Sequence, residues 1–288
     1  MNVKEHALSF SCHGANLYGI ASVPEQPARR GILIVAGGPQ YRIGSHRQFT
    51  LLARSLAAQG IAAMRFDYRG MGDSDGAARS FEDVGQDLRA AVDHFIAAVP
   101  GVDEVVIWGL CDAASAAMFY AGDDARVAGL VLVNPWARTT GGIAKTTLKH
   151  YYLGRLLEGA LWRKIFSGRF DYAGALRSFA RLVGAAMNPG KAVAPEGGAG
   201  SGAVALALPD RMLAGLAAYK GKVLLIISGA DLTAQEFMDM TKASRQWQRE
   251  LASARVTHRR LQEADHTFSR RAWRDQVASW TSDWTKSW

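Results

Sequence analysis

Short apolar runs, spaced by helical periodicity, constrain this chain more than any other feature. Gly31 to Ala36, Ile61 to Phe66, Glu104 to Trp108, Val127 to Val133 and Lys222 to Ile227 are largely apolar along their length instead of alternating. A strand reads this way when both of its faces are covered, as in a parallel sheet flanked by helices. Between the runs, Phe49 to Gln59 and Phe81 to Val99 carry apolar residues at helical spacing, the second through Val84, Leu88, Ala91 and Phe95. Strands alternating with helices predict an α/β fold with a mainly parallel sheet. Ala7 to Ser11 and Asn16 to Ala21 alternate instead, which predicts an antiparallel hairpin at a sheet edge. A last strand is expected over Ala254 to Leu261, and a closing helix over Arg270 to Trp284.

The pattern breaks between Trp136 and Tyr219, where no strong strand signal appears. At 288 residues and 49% hydrophobic, the chain is long enough for one large core with an insertion. The expected organisation is a core built from residues 1–136 and 220–288, with a helical cap insertion over 137–219. Residues 187–203 of that insertion are Gly/Ser-rich and read as a loop. Such an insertion would cover the carboxyl edge of the sheet, where open α/β folds place their active sites.

The net charge is +8, and nine basic residues between Arg138 and Arg181 face only Glu158 and Asp171. A basic excess attracts acidic partners but does not by itself indicate nucleic-acid binding. Cys12 and Cys111 are the only cysteines, too few for a disulfide framework and without C-x-x-C spacing. A reduced, cytoplasmic setting is the expectation. No signal peptide is read at the N-terminus, no apolar stretch is long enough to span a bilayer, and no metal or cofactor is expected. His13, His46, His94, His150 and His258 show no joint metal-ligand spacing.

Chemistry concentrates at Cys111. The strand over Glu104 to Trp108 runs into Gly109-Leu110-Cys111-Asp112-Ala113, and a helix begins at once. Strand, tight turn and helix make the setting of a nucleophile elbow, whose flanking residues are small because the turn is sharp. Here a cysteine holds the nucleophile's place and an alanine the last glycine's. A free cysteine is often no more than a small buried hydrophobe. Against that stands the helix N-terminus aimed at Cys111, which favours a thiolate.

A nucleophilic thiol needs a base, and the base an orienting acid. Asp231 follows the strand ending at Ile227, and His266 follows the last strand. Cys111, Asp231 and His266 therefore come in the order nucleophile, acid, histidine, each past a strand's carboxyl end. An ordinary loop histidine and a helix N-cap are the plainer readings of the last two. Asn134 offers a Cys-His-Asn alternative, and Asp265 is too close to His266 in sequence to orient it. Backbone N–H groups of Gly38 and Asp112 are the candidate oxyanion donors. Gln40, His46 and Trp136 are candidate substrate contacts. The turn from Asp67 to Gly76 reads as structural, bordering the site.

On these motifs the chain resembles the α/β-hydrolase superfamily over nearly its whole length. Two strings, Gly37-Gly38-Pro39-Gln40-Tyr41-Arg42-Ile43-Gly44-Ser45-His46-Arg47-Gln48-Phe49 and Gly109-Leu110-Cys111-Asp112-Ala113-Ala114-Ser115, are similar to the first of two hydrolase families associated with exosortase A systems. The elbow cysteine is also similar to that of dienelactone hydrolases and polyhydroxyalkanoate synthases, although Ala113 departs from their G-x-C-x-G. The expected function is a cysteine-nucleophile hydrolase acting on an ester or thioester through an acyl-thioester intermediate. The alternatives are an acyltransferase using an alcohol, amine or thiol acceptor, and a non-catalytic binding module on the same fold. The expected partner is a small-molecule or carrier-bound acyl substrate, with an acidic acyl carrier protein as the candidate for the basic segment.

Overall fold

The computed structural model describes residues 2–38, 40–137 and 206–288. Eight strands form one sheet in the order β1-β2-β4-β3-β5-β6-β7-β8. They are β1 (Val3–Cys12), β2 (Ala15–Pro24), β3 (Arg30–Val35), β4 (Ala63–Phe66), β5 (Glu104–Leu110), β6 (Val127–Val133), β7 (Lys222–Ser228) and β8 (Val256–Leu261). β1, β2 and β4 pair antiparallel, and every later pairing is parallel. The hairpin predicted at the edge is β1–β2, with Val3 opposite Pro24 and Cys12 opposite Ala15.

The described helices are α1 (Gln48–Ala58), α2 (Gly85–Ala98), α3 (Asp112–Tyr120), α4 (Leu208–Ala218), α5 (Leu232–Ala243), α6 (Arg245–Leu251) and α7 (Arg271–Lys286). Alternate residues of each central strand serve opposite layers, as strand geometry requires. Ile32, Ile34, Trp108, Val131 and Leu224 pack with Phe49 and Leu56 of α1 and with Val277 and Trp284 of α7. Leu33, Val35, Ile107, Leu132 and Leu225 pack with Leu88 and Phe95 of α2, Ala114 of α3, Leu216 of α4 and Phe237 of α5. Both faces are covered, which is why these strands read as unbroken apolar runs. β8 is an outer strand, and its exposed His258, Arg259 and Arg260 blunt an edge that would otherwise invite pairing with another chain.

The expected helix over Phe81 to Val99 is two pieces. A 3₁₀ turn, Phe81–Asp83, is capped by the Ser80 hydroxyl accepting from the Glu82 N–H, and Val84 breaks the path before α2 starts. The strand expected from Ile61 pairs only from Ala63, and the one expected from Ala254 pairs only from Val256. Of the expected insertion over 137–219, residues 138–205 lie outside the described residues, and with them the Gly/Ser-rich loop and the basic cluster. Its final part is α4, which packs on α3 so closely that a Cβ on Gly215 would stand 2.4 Å from the Met118 carbonyl oxygen. Among the described residues no helix is long and apolar enough to cross a membrane.

Two loops at the carboxyl edge are locked together. The buried Asp67 carboxylate accepts from the Arg42 N–H at 2.6 Å, from the Arg42 guanidinium and from the Asp73 N–H. Arg69 in the same turn makes a bidentate pair with the fully buried Asp87, at 2.9 Å through Nε and Nη2. Breaking such a buried pair from one side costs about 3–5 kcal/mol. The Asp67 to Gly76 turn is thus a brace that fixes the loop carrying Gly38 and Gln40.

Candidate active site

β5 delivers Cys111 on a strained turn. Cys111 has φ 63° and ψ −124°, a conformation that L-residues seldom adopt and that surrounding structure must enforce. Four backbone bonds do so: the Cys111 N–H donates to the Val133 carbonyl at 2.9 Å, and the Cys111 carbonyl accepts from Ala114 at 3.1 Å, Trp136 at 3.2 Å and Ser115 at 3.4 Å. The small residue before the cysteine is obligatory, because a Cβ on Gly109 would lie 2.6 Å from the Ala113 carbonyl carbon. α3 starts immediately after, with its N-terminal N–H groups facing the thiol's surroundings.

β7 and β8 deliver the partners. Asp231 is the N-cap of α5, accepting from the Thr233 and Ala234 N–H groups at 3.1 Å each. Its Oδ2 also accepts from His266 Nδ1 at 2.7 Å. The N-cap reading and the orienting-acid reading of Asp231 therefore describe the same carboxylate. His266 lines the same cleft as Cys111, and the thiol interacts with its imidazole. Burial pulls the imidazole's pKa down, but the bonds and charges of Asp231 and Cys111 outweigh it and push it up to about 10.

Asn134 does not take the orienting place. Its left-handed backbone, φ 44°, turns the fully buried amide away from the ring. Nδ2 donates to Ser228 Oγ at 2.8 Å and to the His266 carbonyl at 3.1 Å, while Oδ1 accepts from the Ser228 N–H at 2.8 Å. It ties the loop after β8 to the end of β7 and so positions His266 by its backbone. Asp265 faces away as well, accepting from the Ser269 N–H at 3.0 Å.

The oxyanion candidates show a feature that sequence reasoning missed. The Gly38 N–H donates to Asp112 Oδ2 at 2.8 Å, and Asp112 Oδ1 accepts from the Ala113 N–H at 2.9 Å. The carboxylate also lies against its own backbone N–H. In this structure the expected Gly38 donor is engaged by the Asp112 side chain. Burial pushes the Asp112 carboxyl up, against the three backbone N–H groups and His266, which favour the charged form. The signal available in the sequence was a charged residue directly after the elbow cysteine.

A cleft of about 140 Å³ opens here, lined by Gly37, Gly38, Gln40, Phe49, Leu110, Cys111, Asp112 and His266. Of the expected substrate contacts, Gln40 lies in its wall, with Oε1 accepting from the Ser45 N–H at 3.2 Å. His46 sits one turn further along, in a left-handed conformation facing Asp265. The Trp136 ring packs on Phe81 at 5.4 Å, outside this cleft, while its backbone holds the elbow. Among the described residues no group of three His, Cys, Asp or Glu side chains could hold a metal ion.

Comparison with known proteins follows this geometry. The sequence pattern described as serine aminopeptidase, S33, matches residues 27–269. No curated protein sequence matches the chain. Among solved structures, the esterase Pf2001 of Pyrococcus furiosus superposes with a TM-score of 0.65 at 16% identity, over 99% of this chain and 93% of that one. Est1E from Butyrivibrio proteoclasticus, with ferulic acid bound, superposes with a TM-score of 0.61 at 17% identity, over 97% and 98%. A putative hydrolase from Agrobacterium vitis S4 gives 0.57 at 16%, over 98% and 99%. At these identities the likeness establishes the fold, which is that of the α/β-hydrolases.

Proposed function

The chain belongs to the serine aminopeptidase, S33, family of hydrolases, and from that premise we propose that it is a cysteine-nucleophile acyl hydrolase with Cys111, His266 and Asp231 as its triad. One observation carries the reading: His266 is hydrogen-bonded to the buried Asp231 carboxylate and lines the same cleft as the elbow thiol. A binding module on the same fold would have no use for that arrangement. The family is named for serine enzymes, and in this reading a sulfur in place of that oxygen sets the chemistry of this member apart.

His266 takes the proton of Cys111, or the two rest as an ion pair, and the thiolate is the nucleophile. Its Sγ attacks the carbonyl carbon of an ester or thioester, and the carbonyl electron pair moves onto oxygen. That oxyanion needs donors, and in this reading the N–H groups of Gly38 and Asp112 supply them. Collapse expels an alkoxide or thiolate, which takes its proton from His266, and leaves an acyl-thioester on Cys111. The now neutral imidazole removes a proton from water, hydroxide adds to the thioester, and collapse releases the acid and restores the thiolate. An alcohol, amine or thiol could replace water in the last step, which is the transferase alternative. Esters are favoured as substrates because one similar structure is described as an esterase and another holds ferulic acid, a carboxylic acid. An acidic acyl carrier fits the basic segment between Arg138 and Arg181.

Intact-mass spectrometry after incubation with a panel of simple esters and acyl-thioesters tests the proposal. The expected result is a single acyl adduct, absent from Cys111→Ala. Folded wild-type protein that acquires no adduct from any donor, or Cys111→Ala that acquires the same one, sinks it.

A further inference from the structure

We propose that the Asp112 carboxylate is the resting occupant of the oxyanion hole and that its departure gates acylation of Cys111. The inference rests on the acyl-enzyme reading above and adds a residue with a part of its own. Three observations support it. First, one carboxylate oxygen accepts from a donor that an oxyanion would use, the Gly38 N–H at 2.8 Å, while the other is held by the Ala113 N–H at 2.9 Å. Second, the side chain is only 8% exposed, enclosed in the wall of the same cleft as Cys111 and His266. Third, the strand end opposite is shaped to admit it. A Cβ on Gly37 would stand 2.1 Å from Asp112 Oδ1, whereas one on Gly38 would meet nothing within 4 Å. Gly37 is bare because the carboxylate lies across it, and Gly38 supplies the donor from a left-handed turn at φ 59°.

The consequence is electrostatic. A tetrahedral intermediate develops a full negative charge at the place where a carboxylate already accepts the same N–H. Two anions cannot share donors at hydrogen-bond distance without a large repulsion in so buried a setting. A reacting carbonyl must therefore displace Asp112, turning it about its side-chain bonds into the cleft, before the hole can serve the substrate. The contact also shows that the Gly38 N–H can hold an anion there. Idle esters meet a closed site; a substrate whose remaining contacts hold the carboxylate aside meets an open one.

Two reactions at the same sulfur separate this gate from other roles of Asp112. Acylation by p-nitrophenyl acetate passes through an oxyanion, whereas alkylation by iodoacetamide displaces iodide at carbon and does not. Asp112→Ala empties the hole. Asp112→Asn keeps the shape and one acceptor oxygen but removes the charge, and so decides the matter should the alanine variant be poorly folded. The expected result is acylation about tenfold faster in Asp112→Ala, faster than wild type also in Asp112→Asn, and alkylation unchanged in both. Acylation equal to or slower than wild type in a folded variant overturns the gate and leaves the acyl-enzyme reading standing. Acylation and alkylation rising together overturn it as well, since Asp112 would then act on the thiolate and not on the hole. If neither wild type nor variants take an acyl group while Cys111 is alkylated normally, gate and acyl-enzyme reading fall together.

Discussion

Asp231 and Asp112 are two buried carboxylates, each at the start of a helix and each at the end of a sheet strand, yet they do opposite things. Asp231 caps α5 with two N–H bonds and still has an oxygen for His266 at 2.7 Å. Asp112 begins α3, but its oxygens go to Ala113 and across to Gly38 on the loop after β3. Asp231 is turned towards the His266 ring and fixes it. Asp112 is turned towards bare N–H groups and fills a space that chemistry needs. The shared physics is the positive end of a helix, which attracts any nearby anion. Whether that anion becomes a positioning group or a plug depends on what stands across the cleft.

The comparison is sharpened most by separating the two tasks of Asp231. Asn is as good an N-cap as Asp, so Asp231→Asn should leave α5 in place while losing the charge that orients the ring. Acylation of Cys111 is expected to fall on the order of 10² to 10⁴-fold, with the cap of α5 kept. Asp231→Ala should show the same loss of rate together with about 1 kcal/mol less stability from the missing cap. A rate for Asp231→Asn within threefold of wild type would mean that the carboxylate is only a cap.

Gly37→Ala probes the other carboxylate. In the wild-type background the new Cβ would collide with Asp112 Oδ1, and more mildly with the Leu110 carbonyl oxygen at 2.9 Å. With Asp112→Ala the worse collision is gone. Denaturant unfolding of the two single variants and the double variant should therefore give a coupling of about 0.5–3 kcal/mol. Strict additivity would show that the carboxylate does not rest across Gly37.

The smallest effect expected is on the pH dependence of stability. The pKa of His266 is raised from 6.5 to about 10 in the folded protein. Folding then binds the imidazole's proton, so the stabilisation is complete below about 6.5 and is lost as the pH rises towards 10. Wild type should exceed Asp231→Asn in stability at pH 6, and the margin should narrow at pH 10 in urea titrations. A margin that widens with pH would reverse the sign and place the charge elsewhere.

Much of this was legible in the chain. β3, β5, β6 and β7 stood out because strands covered on both faces cannot carry polar residues on either. Cys111, Asp231 and His266 stood out because each follows a strand end, in the order this fold uses. The tightness of the elbow was legible in Gly109, whose missing side chain makes way for Ala113. The start of α2 was not: helical periodicity runs through Phe81 to Val84, but the Ser80 cap sets a separate turn there. Nor was the work of Asn134, whose amide reaches Ser228, 94 residues away, and the His266 backbone.

By itself, the sequence determined the sheet, the elbow and the chain order of the three reactive groups, because period, small residues and strand ends are local properties. Only the tertiary structure decided where the carboxylates point. The Gly38 N–H and the Asp112 oxygen that it meets are 74 residues apart, brought within 2.8 Å by the parallel pairing of β3 with β5. No local rule says that a side chain next to the nucleophile will turn back into the hole its own backbone helps to build. That outcome comes from the packing of one loop against one helix end, where an unpaired buried donor is costly and the nearest anion takes it.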